Sequence, residues 1–291
     1  MKEISRVGIL GLERFVEVKG PKGSNVLIPK LDIFISLPSS ENIESHALQE
    51  SVNRAIIECS QGDVSAVEEL CAGIVKRLLE DYPSALGSEV RLEADYVVVK
   101  KAPVSGQKTQ ELYKILARAI SENGRVRKMI GAEVTGMSSC PCAKEGLLER
   151  SRKLLEKSFN KEIAERVLKL VPIASHNQRN VSRLLIEVQS KYGVDVNELI
   201  AILEDSMSSR IYEVLKREDE MEVVISSHAN PMFVEDVVRK ILVNVVKKFK
   251  NLPDDSLIMV ESESFESIHQ HNAIAKRIST LGELRKDVSN A

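Results

Sequence analysis

Two thiols, Cys140 and Cys142, flank a single proline at the end of an apolar run, Glu133-Val-Thr-Gly-Met-Ser-Ser-Cys-Pro-Cys142. The proline ring fixes φ between them and keeps both sulfurs near one spot. A disulfide closing so small a ring would be strained, so the pair suits one soft-metal ligand beside one reactive thiol. Two half-buried thiols without chemistry are the plain alternative, because free cysteine is commonly buried.

The other polar residues add weight to the first reading. Four of the five histidines follow residue 170, in short segments dense with polar groups: His176 in Ser-His-Asn-Gln-Arg179, His228 in Ser-Ser-His-Ala-Asn-Pro231, and His269 and His271 in Glu266-Ser-Ile-His-Gln-His271. One such histidine alone is more often a hydrogen-bonded structural residue. Several, with a Cys-Pro-Cys available, point to a metal or acid–base site. If 266–271 is extended, His269 and His271 share a face; if it is helical, Glu266 and His269 lie together. Among the carboxylates, Glu218-Asp-Glu220 reads as a solvated turn and Glu235-Asp236 as a first helical turn, where negative charge is favoured. Lys100-Lys101, at a strand end, could meet phosphate, and a basic edge that resists aggregation explains them equally.

Bulk properties narrow the class. A chain of 291 residues can bury a proper core in one large domain or two of ordinary size. A net charge of −2 and a pI near 6.3 argue against a general nucleic-acid or anionic-membrane surface. Aromatics make up 4% of the chain, with no Trp, which disfavours stacking platforms for single strands. The four cysteines form no secreted-type framework, the opening Met1-Lys-Glu-Ile-Ser-Arg6 has no apolar signal core, and no run is long enough to span a bilayer. A cytoplasmic protein with neither nucleic-acid nor membrane partners is expected.

Among the elements that must carry these groups, residues 1–25 mix charge with Gly and Pro and read as an arm. Ile28–Leu37 alternates as a strand, and helical patterns follow over 43–58 and 64–80, the second with Val64, Val67, Leu70, Ile74, Leu78 and Leu79 on one face and Asp63 as its cap. A long strand is expected over 89–104, a turn at Ser105-Gly106, a helix over 109–122 stopped by Asn123-Gly124, and a strand over 125–135 that delivers the cysteines. Helices broken near Ser158–Asn160 fill 144–170. Strand 181–188, helices 195–207 and 231–249, strand 257–264 and a polar helical tail complete the chain. Strands separated by paired helices indicate an α+β protein with helices on one face of a mainly antiparallel sheet. Its organisation reads as an arm (1–25), a first module (26–150) and a second module (151–291).

Thr135-Gly-Met-Ser-Ser-Cys-Pro-Cys142, Ser175-His-Asn-Gln-Arg179, His228-Ala-Asn-Pro-Met-Phe-Val-Glu-Asp236-Val-Val-Arg239 and Glu266-Ser-Ile-His-Gln-His-Asn272 together resemble the type IB GTP cyclohydrolase family, and within it the archaeal Fe(II)-dependent branch. Lys101-Ala-Pro-Val-Ser-Gly106 matches a further family segment. The resemblance implies a bimodular tunnelling fold (T-fold), a homo-oligomer with active sites between subunits, and GTP as substrate. It implies hydrolysis at the purine C8 with release of formate. In the archaeal branch 7,8-dihydroneopterin 2′,3′-cyclic phosphate forms and pyrophosphate leaves, as the first step of pterin biosynthesis of the methanopterin or folate type. The bacterial branch keeps the triphosphate, and a fold relative that binds a purine or pterin without turnover is the rival from another class.

Carried over position by position, the resemblance makes Cys140, His176 and Glu220 metal ligands and puts Cys142, Glu266 and His269 at the reaction centre. The ligand and proton-carrier roles of His176 and Glu266 are interchangeable at this level. Glu235 matches the acidic residue that takes the purine amino edge, and Lys100, Lys101 and Arg179 are the cations for the triphosphate. Fe(II) is the expected metal, with Mn(II) or Zn(II) as alternatives, since Cys, His and carboxylate accept all three. One departure stands out. Where the family carries a basic, glycine-containing segment after the first strand, this chain has Ser40-Glu-Asn-Ile-Glu-Ser-His46. The 33 residues between Cys142 and His176 form a helical insertion of the archaeal kind.

Overall fold

Side-chain alternation, more than composition, decides the strands of this protein. In a computed structural model that describes residues 4–20, 23–38, 43–60, 66–122, 124–189 and 192–290, the chain is an α+β protein divided into two compact units. The first holds the chain up to Tyr96, with Lys114–Ala132 and Leu185–Val196; the second holds Val97–Tyr113, Glu133–Leu184 and the chain from Asn197.

In the first unit β1 (Ile4–Glu13) pairs antiparallel with β4 (Lys30–Pro38), with an irregularity between Ile9 and Leu12 where Gly11 takes φ 68°. β2 (Val16–Gly20) and β3 (Gly23–Leu27) form a separate hairpin. The stretch expected as an arm is therefore largely strand: β1 pairs with β4, a partner that no local pattern reveals, and β2 pairs with β3. β4 buries Leu31, Ile33, Ile35 and Leu37 on one face and pairs with the first half of β5 (Gly87–Lys101). Each such side chain contributes about 1.5–3 kcal/mol. α1 (Ser45–Ser60) packs on α2 (Val67–Asp81), which buries Val67, Leu70, Ile74 and Leu78 as its period requires. Asp63, expected as the cap, and Val64 lie outside the described residues; Ala66 takes the N-cap position without a side-chain bond.

The expected helix over 109–122 is a strand, β6 (Lys108–Glu122). Thr109, Glu111, Tyr113, Ile115, Ala117, Ala119 and Ser121 are all buried, a strict period of two. Thr-Gln-Glu-Leu-Tyr-Lys-Ile-Leu-Ala-Arg is rich in helix formers, and burial on a sheet overrides that weak preference. Gly124, with φ 75°, accordingly begins the return into β7 (Arg125–Ser139) and caps no helix.

The strand order continues β5, β6, β7, then β8 (Asn177–Val188), β10 (Leu257–Ser264) and β11 (Ala273–Thr280), with the short β9 (Ser209–Arg210) pairing β7; β9, β10 and β11 lie wholly in the second unit. α3 (Pro141–Leu155) and α4 (Lys161–Leu170) form the insertion, broken where Asn160 Oδ1 caps α4 by accepting from the Ile163 N–H at 2.9 Å. α5 (Val196–Asp205), α6 (Arg217–Ala229), α7 (Val234–Lys248) and α8 (Leu281–Ser289) follow, α7 packing on β10, β11 and α8. The polar tail thus carries an unforeseen strand, β11, paired antiparallel with β10. Glu218-Asp-Glu220 is the first turn of α6 and not a solvated turn: Asp219 is fully buried. Among the described residues no helix is long and apolar enough to cross a membrane.

Candidate functional site

All the residues singled out for chemistry that fall in the described chain after residue 97 belong to the second unit, so one unit can be followed from backbone to site. β7 keeps its alternation to Ser138 and Ser139, both buried, and the chain then turns. Cys140 is the N-cap of α3, extended at φ −72° and ψ 121°, and Pro141 opens the helix, where its missing N–H costs nothing. Cys140 is half-buried and Cys142, in the first helical turn, is exposed; both thiols are free.

Backbone hydrogen bonds then bring His176 to Cys140. The Cys140 N–H donates to the His176 carbonyl at 3.1 Å, and the Ser175 hydroxyl donates to the Cys140 carbonyl at 2.6 Å. His228 secures the same corner. Its Nε2 lies 3.0 Å from the Ser175 carbonyl and its Nδ1 2.9 Å from the Val224 carbonyl, and Lys144 Nζ donates to the His228 carbonyl at 2.6 Å. His228 is thereby a structural histidine, its ring engaged by main chain.

His176 is also held through its side chain. Nδ1 lies 3.0 Å from Gln178 Oε1, and Gln178 Nε2 donates to Glu266 Oε1 at 3.1 Å and to the Ser264 hydroxyl at 3.1 Å. Ser264, itself buried, donates to Glu266 Oε1 at 2.9 Å and meets Ser138 Oγ at 3.4 Å. Among the described residues His176 Nε2 has no hydrogen-bond partner. Glu266 stands just past β10 in an irregular segment, neither extended nor helical, that leads into β11. In it the exposed His269 and His271 rings stack at 5.3 Å with an interplanar angle of 15°.

Ser139 joins these parts to the helices. Its N–H donates to Ser208 Oγ at 3.1 Å, its hydroxyl meets Ser227 Oγ of α6 at 2.5 Å, and its carbonyl accepts from the Met232 N–H at 3.0 Å. β9 approaches β7 closely at Gly136, where a Cβ would sit 2.5 Å from Met207 Sδ and 3.1 Å from the Ser209 carbonyl and would push the Met207 side chain aside. The Met232 bond sets the start of α7, with Glu235 exposed in its first turn. The N-terminal capping role falls to Asp236, whose Oδ2 accepts from the Phe233 N–H at 3.2 Å and whose Oδ1 accepts from Arg239 at 2.6 Å.

At the start of α6, Asp219 accepts from the Val104 and Ser105 N–H groups at 2.9 and 2.8 Å, from the Ser105 hydroxyl at 2.7 Å and from the Lys216 N–H at 2.9 Å. Burial acts to raise its pKa, but the bonds from Ser105, Lys216 and Val104 outweigh it and hold the carboxyl well below the usual range. This fixes the Lys101–Gly106 segment, whose Gly106 takes φ 67°, to the turn that carries the exposed Glu220.

The cations differ in availability. Lys100 Nζ donates to the buried Glu204 at 2.5 Å and lies 4.7 Å from the Tyr113 ring centroid, while Tyr113 Oη donates to Glu204 at 2.6 Å. Burial first, and then the Glu204 carboxylate, push the Tyr113 phenol far up. Lys100 is thus committed to an internal charge cluster. Lys101 and Arg179 have exposed side chains.

The chain therefore joins Cys140 to His176, and His176 through Gln178 to Glu266. Thiolate, neutral imidazole and carboxylate are the donor types that borderline metals accept, and the open Nε2 of His176 fits that use. Among the described residues no three His, Cys, Asp or Glu side chains gather closely enough to hold a metal, so Cys140, His176 and Glu220 do not form one cluster. Residue patterns alone missed Gln178, Ser264, Asp219 and Glu204. Gln178 and Ser264 had a signal: each lies two residues from a chosen group, and so on its face if the segment is extended.

Residues 1–275 match the family model described as type I GTP cyclohydrolase folE2. The chain is 41% identical over 291 residues to GTP cyclohydrolase MptA of Methanosphaera stadtmanae, covering 98% of this chain and 93% of that one. It is likewise 41% identical to GTP cyclohydrolase MptA of Methanothermobacter thermautotrophicus, with 98% and 92% covered. Among solved structures, uricase from Arthrobacter globiformis aligns with a TM-score of 0.56 at 8% identity, covering 96% of this chain and 94% of that one. Uricase from Bacillus fastidious aligns at 0.51 and 7%, with 99% and 97% covered. At such identities the likeness concerns the fold, which is of the T-fold type.

Proposed function

The chain belongs to the type I GTP cyclohydrolase family, and from that premise we propose that it opens the guanine ring of GTP at C8 and releases formate. It is an enzyme of the archaeal type, and its products on this reading are 7,8-dihydroneopterin 2′,3′-cyclic phosphate and pyrophosphate. The observation that carries the proposal is the full-length likeness to the two MptA enzymes, joined to the Cys140–His176–Gln178–Glu266 connection.

C8 of guanine is a poor electrophile, and a held Fe(II), Mn(II) or Zn(II) would supply Lewis acidity and a lowered water pKa at neutral pH. Cys140 and His176 would hold it, with Glu220 as the third donor once the active assembly forms. Glu266, braced by Ser264 and Gln178, would carry a proton, and the exposed Cys142 and His269 would share that work. Glu235, free of capping duty, accepts from adjacent N–H groups of the purine edge. The exposed Arg179 and Lys101 would take the triphosphate, whereas Lys100 is held by Glu204.

We read the fold as a bimodular T-fold with helices on one face of the sheet, the modules meeting near residue 150, and the protein as a cytoplasmic homo-oligomer with intersubunit sites. Supporting the oligomer, β11 ends the strand order and exposes Ile274 and Ile278.

The test is formate release from GTP by anaerobically purified protein loaded with Fe(II), with Cys140→Ala alongside and the phosphate products resolved. Formate with pyrophosphate, lost in the variant, supports the reading. Formate with an intact triphosphate moves the protein to the bacterial type. No formate with Fe(II), Mn(II) or Zn(II), despite GTP binding, leaves a purine-binding protein and overturns it.

A further inference from the structure

We infer that Gln178 is a positioning residue that fixes the His176 ring with Nε2 as its open lone pair and, through the same amide, braces Glu266. This rests on the cyclohydrolase reading for its consequence in turnover, but not for its geometry. An ionised carboxylate only accepts hydrogen bonds, so the amide group facing Glu266 Oε1 at 3.1 Å is the Gln178 NH₂. The second N–H of that group is used by Ser264 Oγ at 3.1 Å, and Ser264 returns its own hydrogen to Glu266 at 2.9 Å. The amide oxygen is then left pointing at His176 Nδ1, 3.0 Å away. An amide oxygen also only accepts, so Nδ1 carries the hydrogen, which Ser267 Oγ at 3.4 Å can share as a second acceptor, and in that tautomer the lone pair lies on Nε2.

That tautomer is the one a metal ligand or proton acceptor at Nε2 needs. A second partner that takes the other ring N–H fixes the orientation of a ligating imidazole and raises its basicity. The amide does more than a carbonyl would, because it joins two functional groups. Drawing electrons from Nε2 strengthens the Nδ1–H bond to Gln178, polarises the amide and makes its N–H groups better donors to Glu266. Ser264 is buried beneath the pair and holds Glu266 from below, so the carboxylate is fixed by two donors on one oxygen and leaves the other for substrate. Neither Ser264 nor Gln178 is a catalytic residue; both act through groups that are.

The experiment uses the full chain and three readouts. In metal-free protein labelled with ¹⁵N-histidine, the His176 resonances should report the Nδ1–H tautomer, and Gln178→Met should convert it to a mixture or to Nε2–H. Zinc affinity, measured by chelator competition without turnover, should fall about 10–100-fold in Gln178→Met. Gln178→Glu keeps an acceptor for Nδ1 but cannot donate to Glu266, so it should hold zinc within about threefold of the parent yet lose about tenfold or more in kcat, with KM little changed. Parent-like zinc affinity and tautomer in Gln178→Met would overturn the inference. So would parent-like kcat in Gln178→Glu. Should Gln178→Met fail to fold, the parent tautomer and the Gln178→Glu comparison still decide. If the parent releases no formate but the tautomer and zinc results hold, the cyclohydrolase reading falls and the His176 assignment stands; the reverse pattern sinks the assignment alone.

Discussion

The Asp219 carboxylate takes both the backbone N–H and the hydroxyl of Ser105, at 2.8 and 2.7 Å, across a sequence gap of 114 residues. One buried charge therefore holds the turn after β5 against the first turn of α6. Because Glu220 follows Asp219 directly and Lys101 precedes the turn, the bond sets the spacing of two groups assigned to the site.

Replacing Asp219 by Asn is expected to lower Tm by about 5 °C or more at neutral pH, since one acceptor remains where two served four donors. The folded pKa lies below the unfolded one, so the stabilisation is complete above the unfolded value near 4 and is lost as pH falls through the folded value. Thermal melts from pH 7 to 3 should show the gap between parent and variant beginning to narrow below about pH 4. A gap independent of pH would count against the assignment.

Lys100→Met removes the ammonium from Glu204, which is 5% exposed and, among the described residues, would keep Tyr113 and a longer contact to Arg210 at 3.4 Å. A loss of about 1–3 kcal/mol in urea unfolding is expected, because a buried carboxylate is left short of charge. The double variant Lys100→Met with Glu204→Gln should recover most of it. An undiminished midpoint in the single variant would show the pair to be idle.

Neighbouring carboxylates on α7 should separate cleanly. Asp236→Ala removes the bond to the Phe233 N–H and should cost about 1 kcal/mol of stability. Glu235→Gln should leave Tm alone and raise KM for GTP about tenfold, since an amide cannot accept from both N–H groups of the purine edge. Equal effects of the two changes on KM would contradict the division of labour.

Arg179→Ala and Lys101→Ala should each weaken GTP more than guanosine, by about 1–2 kcal/mol, as expected for exposed cations that meet phosphate. Isothermal titration with both ligands, at two salt concentrations, checks it. Equal losses for nucleoside and nucleotide would remove these residues from the phosphate site.

Much of this protein was legible in its residues. The Cys-Pro-Cys turn, the four polar motifs in order, the α1–α2 pair and strands β4, β5 and β10 all follow from period and local chemistry, and the motifs carried the family. Apart from the local β2–β3 hairpin, the missed strands are those where long-range pairing outweighs local preference. β6 reads as a helix because its residues favour one, and only burial of every second side chain makes it a strand. β1 and β11 needed partners invisible in their own segments. Within the site, residue types nominated Cys140, His176 and Glu266, but no spacing rule could show that Gln178 spans the last two. Nor could it show that Lys100 spends its charge on Glu204 while Arg179 keeps its own exposed. Chemistry belongs to residue types and is written in the chain; which partner satisfies each polar group depends on segments as much as 126 residues apart and is decided only when they fold together.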